Sequence, residues 1–424
     1  MKYGYKIMGN SPFSPLRASQ KLNNGALVNL VISEKNWLET TAVDQLIHTT
    51  QLPGMLLGVG MPDLHPGKGQ PIGAAFISQE HIYPHLVGSD IGCGMGLWHL
   101  DVPAHKFKMD KIEKRLVGLD EPYEESPNEL LEQYDFDLSA FDRMGIENID
   151  ALNNKLGTIG GGNHFAEFQS VAKIFDSDVF EQTGLTKRST VLLVHSGSRG
   201  LGQAILHQHM NSHGANSLTG STQNGYLHQH DTAVKWAEIN RYIIARRFLS
   251  AIKAGGHSIL DITHNSVTAL SSQQQNDMIS LCAPLSLTEK SKHTMWIHRK
   301  GVSPTDQGLV MIPGSRGSHS YLVKPKTDNK NAISHGGYSL AHGAGRKWQR
   351  SDAKGKLRNN FTVKDLENNG FGGRVICKQR DLLFEEAPQA YKNIDVVISD
   401  LQQAGMIDLI AQFKPLLTYK TRKK

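Results

Sequence analysis

The chain is poor in cysteine, with only Cys93, Cys282 and Cys377 among 424 residues. They are widely spaced and odd in number, so no disulfide framework is implied and a reducing compartment is expected. No apolar run approaches the ~18 residues that a membrane helix needs, and Met1-Lys2-Tyr3-Gly4-Tyr5-Lys6 carries no apolar signal core. A soluble, cytoplasmic protein with no membrane partner is the expectation. Charge of one sign is also lacking: Lys+Arg 46 against Asp+Glu 40 leaves +6 and a pI near 9.0. That mild excess suits a polyanionic partner but is not a nucleic-acid signature by itself. In contrast, 20 histidines and 41 glycines are present, and many of them fall together in short motifs. With no internal repeat and no clear linker, these motifs are expected to come from a single catalytic domain spanning 1–424.

The sharpest motif is Ser89-Asp90-Ile91-Gly92-Cys93-Gly94-Met95-Gly96, with a carboxylate and a thiol three residues apart. A thiolate and a carboxylate are both metal ligands, and the glycines would let the backbone wrap closely around an ion. A small buried cysteine in a glycine-rich turn is the alternative.

Along the chain, Met55–Val59 and Ile72–Ile77 are strand candidates broken by glycine turns. Residues 105–155 turn rich in Lys, Glu and Asp and predict a surface helical region with little chemistry. Val191-Leu192-Leu193-Val194 is a compact apolar strand that delivers His195 into a cleft. His207, His209, His213, His228 and His230 predict a polar surface loop over 207–230. Ala237 to Ala254 keeps helical apolar spacing, with Arg241, Arg246, Arg247 and Lys253 on a basic face.

More histidines lie where chemistry needs them. Asn163 and His164 follow Gly160-Gly161-Gly162, Thr263-His264-Asn265 follows the basic helix, and His342 opens His342-Gly343-Ala344-Gly345-Arg346. Each alone could be a satisfied core histidine, but together with Asp90 and Cys93 they argue for a site. In Ile312-Pro313-Gly314-Ser315-Arg316-Gly317, two glycines around a serine can turn backbone N–H groups toward a phosphate. Between Arg346 and Arg358, six cations surround Trp348 with only Asp352 opposing, a stripe that suits a nucleic-acid backbone or simply solvent. His342 itself can be a nucleophile toward an α-phosphorus, with Gly343 and Gly345 permitting approach and Arg346 supplying charge. A metal ligand or a general acid are its other readings.

Taken together, Pro62-Asp63-Leu64-His65, Pro71-Ile72-Gly73, Asp90 to Gly94, Gly162 to Phe165, His195 to Gly200 and His342 to Arg346 resemble the RtcB family of RNA-splicing ligases. The resemblance runs in order from about Gly54 to Lys420 and includes Glu386 to Lys392. It implies an α+β fold, with mixed β-sheets, surrounding helices and a central metal cleft. It also implies a ligase that uses GTP and two Mn2+ ions to join RNA 2′,3′-cyclic phosphate or 3′-phosphate ends to 5′-hydroxyl ends, through a His342–GMP adduct. By the same resemblance Asp90, Cys93 and His164 hold one metal and Cys93, His195 and His264 the other. Asn163, Asn265 and Pro313-Gly314-Ser315 hold phosphates, and Phe165, Glu167, Ser320, Tyr391 and Lys420 surround guanine, next to His342, Gly343, Ala344, Gly345 and Arg346. A monomer suffices for this chemistry, and an activating protein partner is compatible with it. Ligand softness alone suggests zinc, so manganese follows from the resemblance only. The chain departs from the family pattern at Ala341, at Lys347-Trp348-Gln349-Arg350 and past Lys420, which marks a divergent branch. Two other readings are a metal-dependent phosphoesterase or nucleotidyltransferase that dispenses with His342, and an idle RNA-binding protein.

Overall fold

In the computed structural model, residues 20–123, 128–134, 136–137, 141, 144–145, 152, 154–282 and 294–422 are described. Two large sheets carry the fold. The first has β1 (Gln20–Lys21), β2 (Leu27–Leu30), β3 (Met55–His65), β4 (Ile72–Gln79), β9 (Asn265–Ala269) and β10 (Met295–Lys300), in the order β1-β2-β3-β4-β10-β9. The second has β5 (Gly94–Leu100), β6 (Phe165–Ile174), β7 (Thr190–Ser196), β8 (Gly256–Thr263), β12 (Val310–Pro313), β13 (Ser320–Pro325) and β16 (Ile407–Thr421), in the order β12-β13-β16-β6-β7-β5-β8. Strand β15 (Arg374–Cys377) lies beside β16. A small pair, β11 (Val302–Pro304) and β14 (Ser339–Ala341), bridges toward His342. With helices packed around these sheets, the architecture is the expected mixed α+β.

The sequence explains the layers. Strand β7 reads Thr-Val-Leu-Leu-Val-His-Ser and is buried throughout, as a near-continuous apolar run must be when both faces are covered. One face, with Leu192 and Val194, packs on Ile244, Phe248 and Ile252 of the 31-residue helix Thr222–Ile252. The other, with Val191 and Leu193, packs on Met311, Leu322 and Phe413. A further core joins Leu57, Val59, Ala75 and Ile297 of the first sheet to Val310, Ile312 and Val323 of the second.

Both strand candidates are strands and run on further, Met55 to His65 and Ile72 to Gln79. The expected loop over 207–230 is instead helix Gly200–His213 and the start of helix Thr222–Ile252. Its helical period runs through Leu201, Ile205 and His209 and again through Tyr226, His230 and Ala233, which are buried. Counting those histidines as polar hid the stripe. His230 is buried because its Nε2 accepts the Val267 backbone N–H at 3.1 Å. The region 105–155 is not merely a surface: Leu131, Phe136, Phe141, Met144 and Leu152 pack with Trp236 in one core, while other parts of that stretch lie outside the described residues.

Strand register decides where the site forms. Strand β5 runs antiparallel to both β7 and β8, pairing Gly94 with Ser196 and with Thr263, while β6 pairs Phe165 with His195. The starts of β5 and β6 therefore lie beside the ends of β7 and β8. Cys93 and His164 immediately precede two strands, His195 closes one and His264 follows another, so all four project from one edge.

Candidate active site

At that edge Cys93 Sγ lies 3.1 Å from His195 Nε2 and 3.4 Å from His164 Nε2. His195 Nε2 is 3.3 Å from His264 Nε2, and His164 Nε2 is 2.8 Å from Asp90 Oδ2. Among the described residues, two groups could hold a cation, Asp90–Cys93–His164 and Cys93–His195–His264, and Cys93 belongs to both. The outer nitrogens fix the tautomers: His164 Nδ1–H donates to the Ile159 carbonyl at 3.1 Å and His195 Nδ1–H to the Asn163 carbonyl at 3.2 Å. Each Nε2 then turns a lone pair inward, as a metal ligand requires.

The electrostatics suit the same reading. Burial pushes the Cys93 thiol well up, with the Asp90 carboxylate adding to it, and burial holds His195 and His264 well below the ordinary imidazole range. Burial would raise the Asp90 carboxyl, but His164, Cys93 and Arg199 together outweigh it and the net shift is downward. Neutral imidazoles converging on a sulfur that is costly to ionise alone form a donor set that a divalent cation completes. The buried His264 Nδ1 has no partner. Thiolate, imidazole and carboxylate donors thus fit transition-metal ions.

His342 stands beside this centre, its ring 4.7 Å from that of His264. Its Nδ1–H donates to Asp63 Oδ2 at 2.7 Å, and its backbone N–H reaches the same oxygen at 3.3 Å. Asp63 is fully buried and its other oxygen has no partner. The carboxylate therefore holds both the backbone and the ring of His342 and leaves Nε2 as the free lone pair. Motif reading missed this role for Asp63, although the Pro62-Asp63-Leu64-His65 segment had been singled out. The pairing spans 279 residues.

Two glycines have backbone constraints of their own. Gly345 adopts φ +70°, and a Cβ there would lie 2.2 Å from the Asp63 carbonyl oxygen. Close backbone approach thus requires glycine at this position on the cavity wall. Gly314 N–H is already bonded to the His319 carbonyl at 3.0 Å, so that donor of the expected phosphate cradle is taken.

A cavity of about 950 Å3 opens over the centre. Asp90, Cys93, Asn163, Phe165, Glu167, His195, His264, Asn265, Pro313, Gly314, Ser315, His342, Gly343, Ala344, Gly345, Arg346, Tyr391 and Lys420 line it. His164 and Ser320 are not on its wall. Ser320 Oγ accepts from the Gln169 amide, which also donates to Glu167 at 2.6 Å. Glu167, bonded in addition by Thr418, is pushed by burial up to about 7. At the far wall Glu386 accepts from Arg346 and Arg350, each at 3.0 Å, and from the Tyr391 hydroxyl. Burial would raise its carboxyl, yet Lys420, Arg346 and Arg350 hold it down at about 2. Lys420 is lowered by burial to about 8.

Four cations of the basic stripe share two carboxylates. Arg346 and Arg350 pair with Glu386, and Lys354 and Arg358 with Asp381. Lys356 sits 4.8 Å from the Trp348 ring centroid. Arg346 also donates to the Trp348 and Glu385 carbonyls, so it holds the pocket wall together as well as bringing its charge to the cavity. Arg346→Ala should leave Glu386 buried with fewer partners. We expect a lower melting temperature and weaker nucleotide binding, with metal content unchanged.

The sequence comparisons are decisive. The family model described as tRNA-splicing ligase RtcB matches residues 45–122 and 129–421. This chain belongs to the RtcB family. It is 45% identical to the RNA-splicing ligase RtcB2 of Escherichia coli, covering 92% of this chain and 94% of that protein. A tRNA-splicing ligase RtcB of Archaeoglobus fulgidus is 29% identical, with 89% and 91% covered, and one of Nanoarchaeum equitans 27%, with 85% and 87% covered. Among the described residues no helix is long and apolar enough to cross a membrane.

Proposed function

We propose that this RtcB-family chain is a GTP- and manganese-dependent RNA ligase that joins 2′,3′-cyclic phosphate or 3′-phosphate ends to 5′-hydroxyl ends, working as one catalytic unit in the cytoplasm. The observation that carries the reading is His342 Nε2, free and oriented by Asp63, beside two candidate metal sites that share Cys93. When bound, the metals would supply positive charge that polarises phosphoryl oxygens; Asp90, Cys93, His164, His195 and His264 would hold them.

The chain's own residues account for the rest. The Nε2 lone pair of His342 attacks the α-phosphorus of GTP, an N–P bond forms, and the P–O bond to pyrophosphate breaks. The ring becomes cationic, and the Asp63 carboxylate stabilises that charge. An RNA 3′-phosphate oxygen then takes the GMP group and returns the lone pair to Nε2. Finally the 5′-hydroxyl attacks the activated 3′-phosphorus and GMP leaves; a cyclic end is first opened by water. GMP is needed because an unactivated phosphate oxygen is a poor leaving group.

Glu167 suits guanine, whose N1–H and exocyclic amine are a donor pair that a carboxylate accepts and adenine lacks. Its value near 7 carries a sign. The carboxylate form falls as pH drops through 7, so GTP affinity should weaken from pH 8 to pH 6. In Glu167→Gln the affinity should be low and flat with pH, and equilibrium dialysis measures both.

The direct test offers RNA ends bearing a 2′,3′-cyclic phosphate and a 5′-hydroxyl, with GTP and Mn2+. Joined product is expected. Ends that are hydrolysed but never joined would favour the phosphoesterase reading, and loss of His342 would then be harmless.

A further inference from the structure

Arg241 was expected on a solvated basic face, yet it is fully buried. Its Nη1 donates to the Gly92 carbonyl at 2.6 Å and to the Ser196 carbonyl at 2.9 Å. Its Nε and Nη2 grip Asp261, at 2.9 Å and 2.5 Å for the closest contacts. Gly92 precedes Cys93, Ser196 follows His195, and Asp261 lies three residues before His264. One guanidinium therefore ties together the three backbone segments that present Cys93, His195 and His264.

The glycines of the Cys93 motif fit this arrangement. A Cβ at Gly94 would lie 2.8 Å from Arg241 Cζ, and one at Gly92 would lie 2.7 Å from Ala237 Cβ on the same helix. They admit the helix and its arginine. Neighbouring Asn240 extends the tie: its Oδ1 accepts from Gly157 N–H at 2.8 Å and its Nδ2 donates to Ser196 Oγ at 3.0 Å. Ser196 Oγ in turn donates to the Ile159 carbonyl, which also receives His164 Nδ1–H.

The geometry points to Arg241, locked by Asp261, as the positioning residue of the Cys93–His195–His264 metal site. It has no hydrogen bond to a ligand side chain and acts through the Gly92 and Ser196 carbonyls and the Asp261 carboxylate, each within three residues of a ligand. A planar fork can reach three such points at once, whereas a lysine ammonium cannot. The inference rests on the metal reading above.

The test is titration of the full-length protein with Co2+ alone, reading bound ions per chain and the thiolate-to-cobalt absorption band. Wild type, Arg241→Lys and Asp261→Asn are compared with Arg299→Lys. Arg299 is also a buried arginine, but it bonds Ser339, Thr268 and the Tyr338 carbonyl. Arg241→Lys and Asp261→Asn should melt cooperatively yet bind cobalt about 10–100-fold more weakly, with a shifted band. Arg299→Lys should lower the melting temperature and keep the wild-type band. Wild-type affinity and spectrum in both Arg241→Lys and Asp261→Asn would overturn the assignment while leaving the metal reading intact. No thiolate band in wild type would instead sink the metal reading, and this inference with it. Asp261→Asn preserves side-chain shape and keeps the question answerable if Arg241→Lys does not fold.

Discussion

Cys93→Ala should empty both metal sites in one substitution, because a single sulfur belongs to both donor groups. Each site would keep two donors: Asp90 with His164, and His195 with His264. Loss of a direct ligand should exceed the about 10–100-fold that loss of a supporting partner costs. Metal analysis after dialysis should find neither ion, and RNA joining should fall below detection. The other thiols provide the comparison. Cys282 and Cys377 are buried and free, their thiols directed at the Leu56 and Gln379 carbonyls, and neither belongs to a donor group. Cys282→Ala and Cys377→Ala should therefore keep full metal content, with only a small loss of stability. Two tightly held ions in Cys93→Ala would refute the bridging role.

His342→Ala should separate chemistry from metal binding. His342 is in neither donor group, so both ions should remain. The protein–GMP adduct formed with α-labelled GTP, which is acid-labile when carried on a nitrogen, should disappear. The joining rate should drop on the order of 10⁴-fold or more, as expected when a nucleophile is deleted. Asp63→Asn is the finer probe. It keeps the histidine but removes the charge that orients Nδ1–H and stabilises the cationic ring. Adduct formation should slow on the order of 10²–10⁴-fold with metal content unchanged. An adduct that survives His342→Ala would move the nucleophile elsewhere.

How much of this was legible in the chain depends on the kind of residue. Cys93, His164, His195 and His264 stood out only as a set: each alone could be a core residue, but several ligand-type side chains in ordered short motifs argue for a site. The residues that orient them did not. Asp63 is an ordinary acid in an apolar strand until the 279-residue pairing with His342 closes. Arg241 looks like one more cation on a helix, because helical periodicity reports a face and not what that face meets. The ion pairs of the basic stripe were hidden for the same reason: Asp381 and Glu386 lie more than 20 residues further along the chain.

The sequence by itself determined the family, through the order of its motifs, and with that resemblance came the α+β class and the candidate site residues. Only the tertiary structure decided how those residues are brought together and which neighbours orient them. Antiparallel register brought the starts of β5 and β6 beside the ends of β7 and β8, and so made one centre of residues up to 171 positions apart, from Cys93 to His264. Burial then biased the charge states, raising the Cys93 thiol and lowering His195 and His264. Both effects arise from long-range packing, which no local spacing encodes.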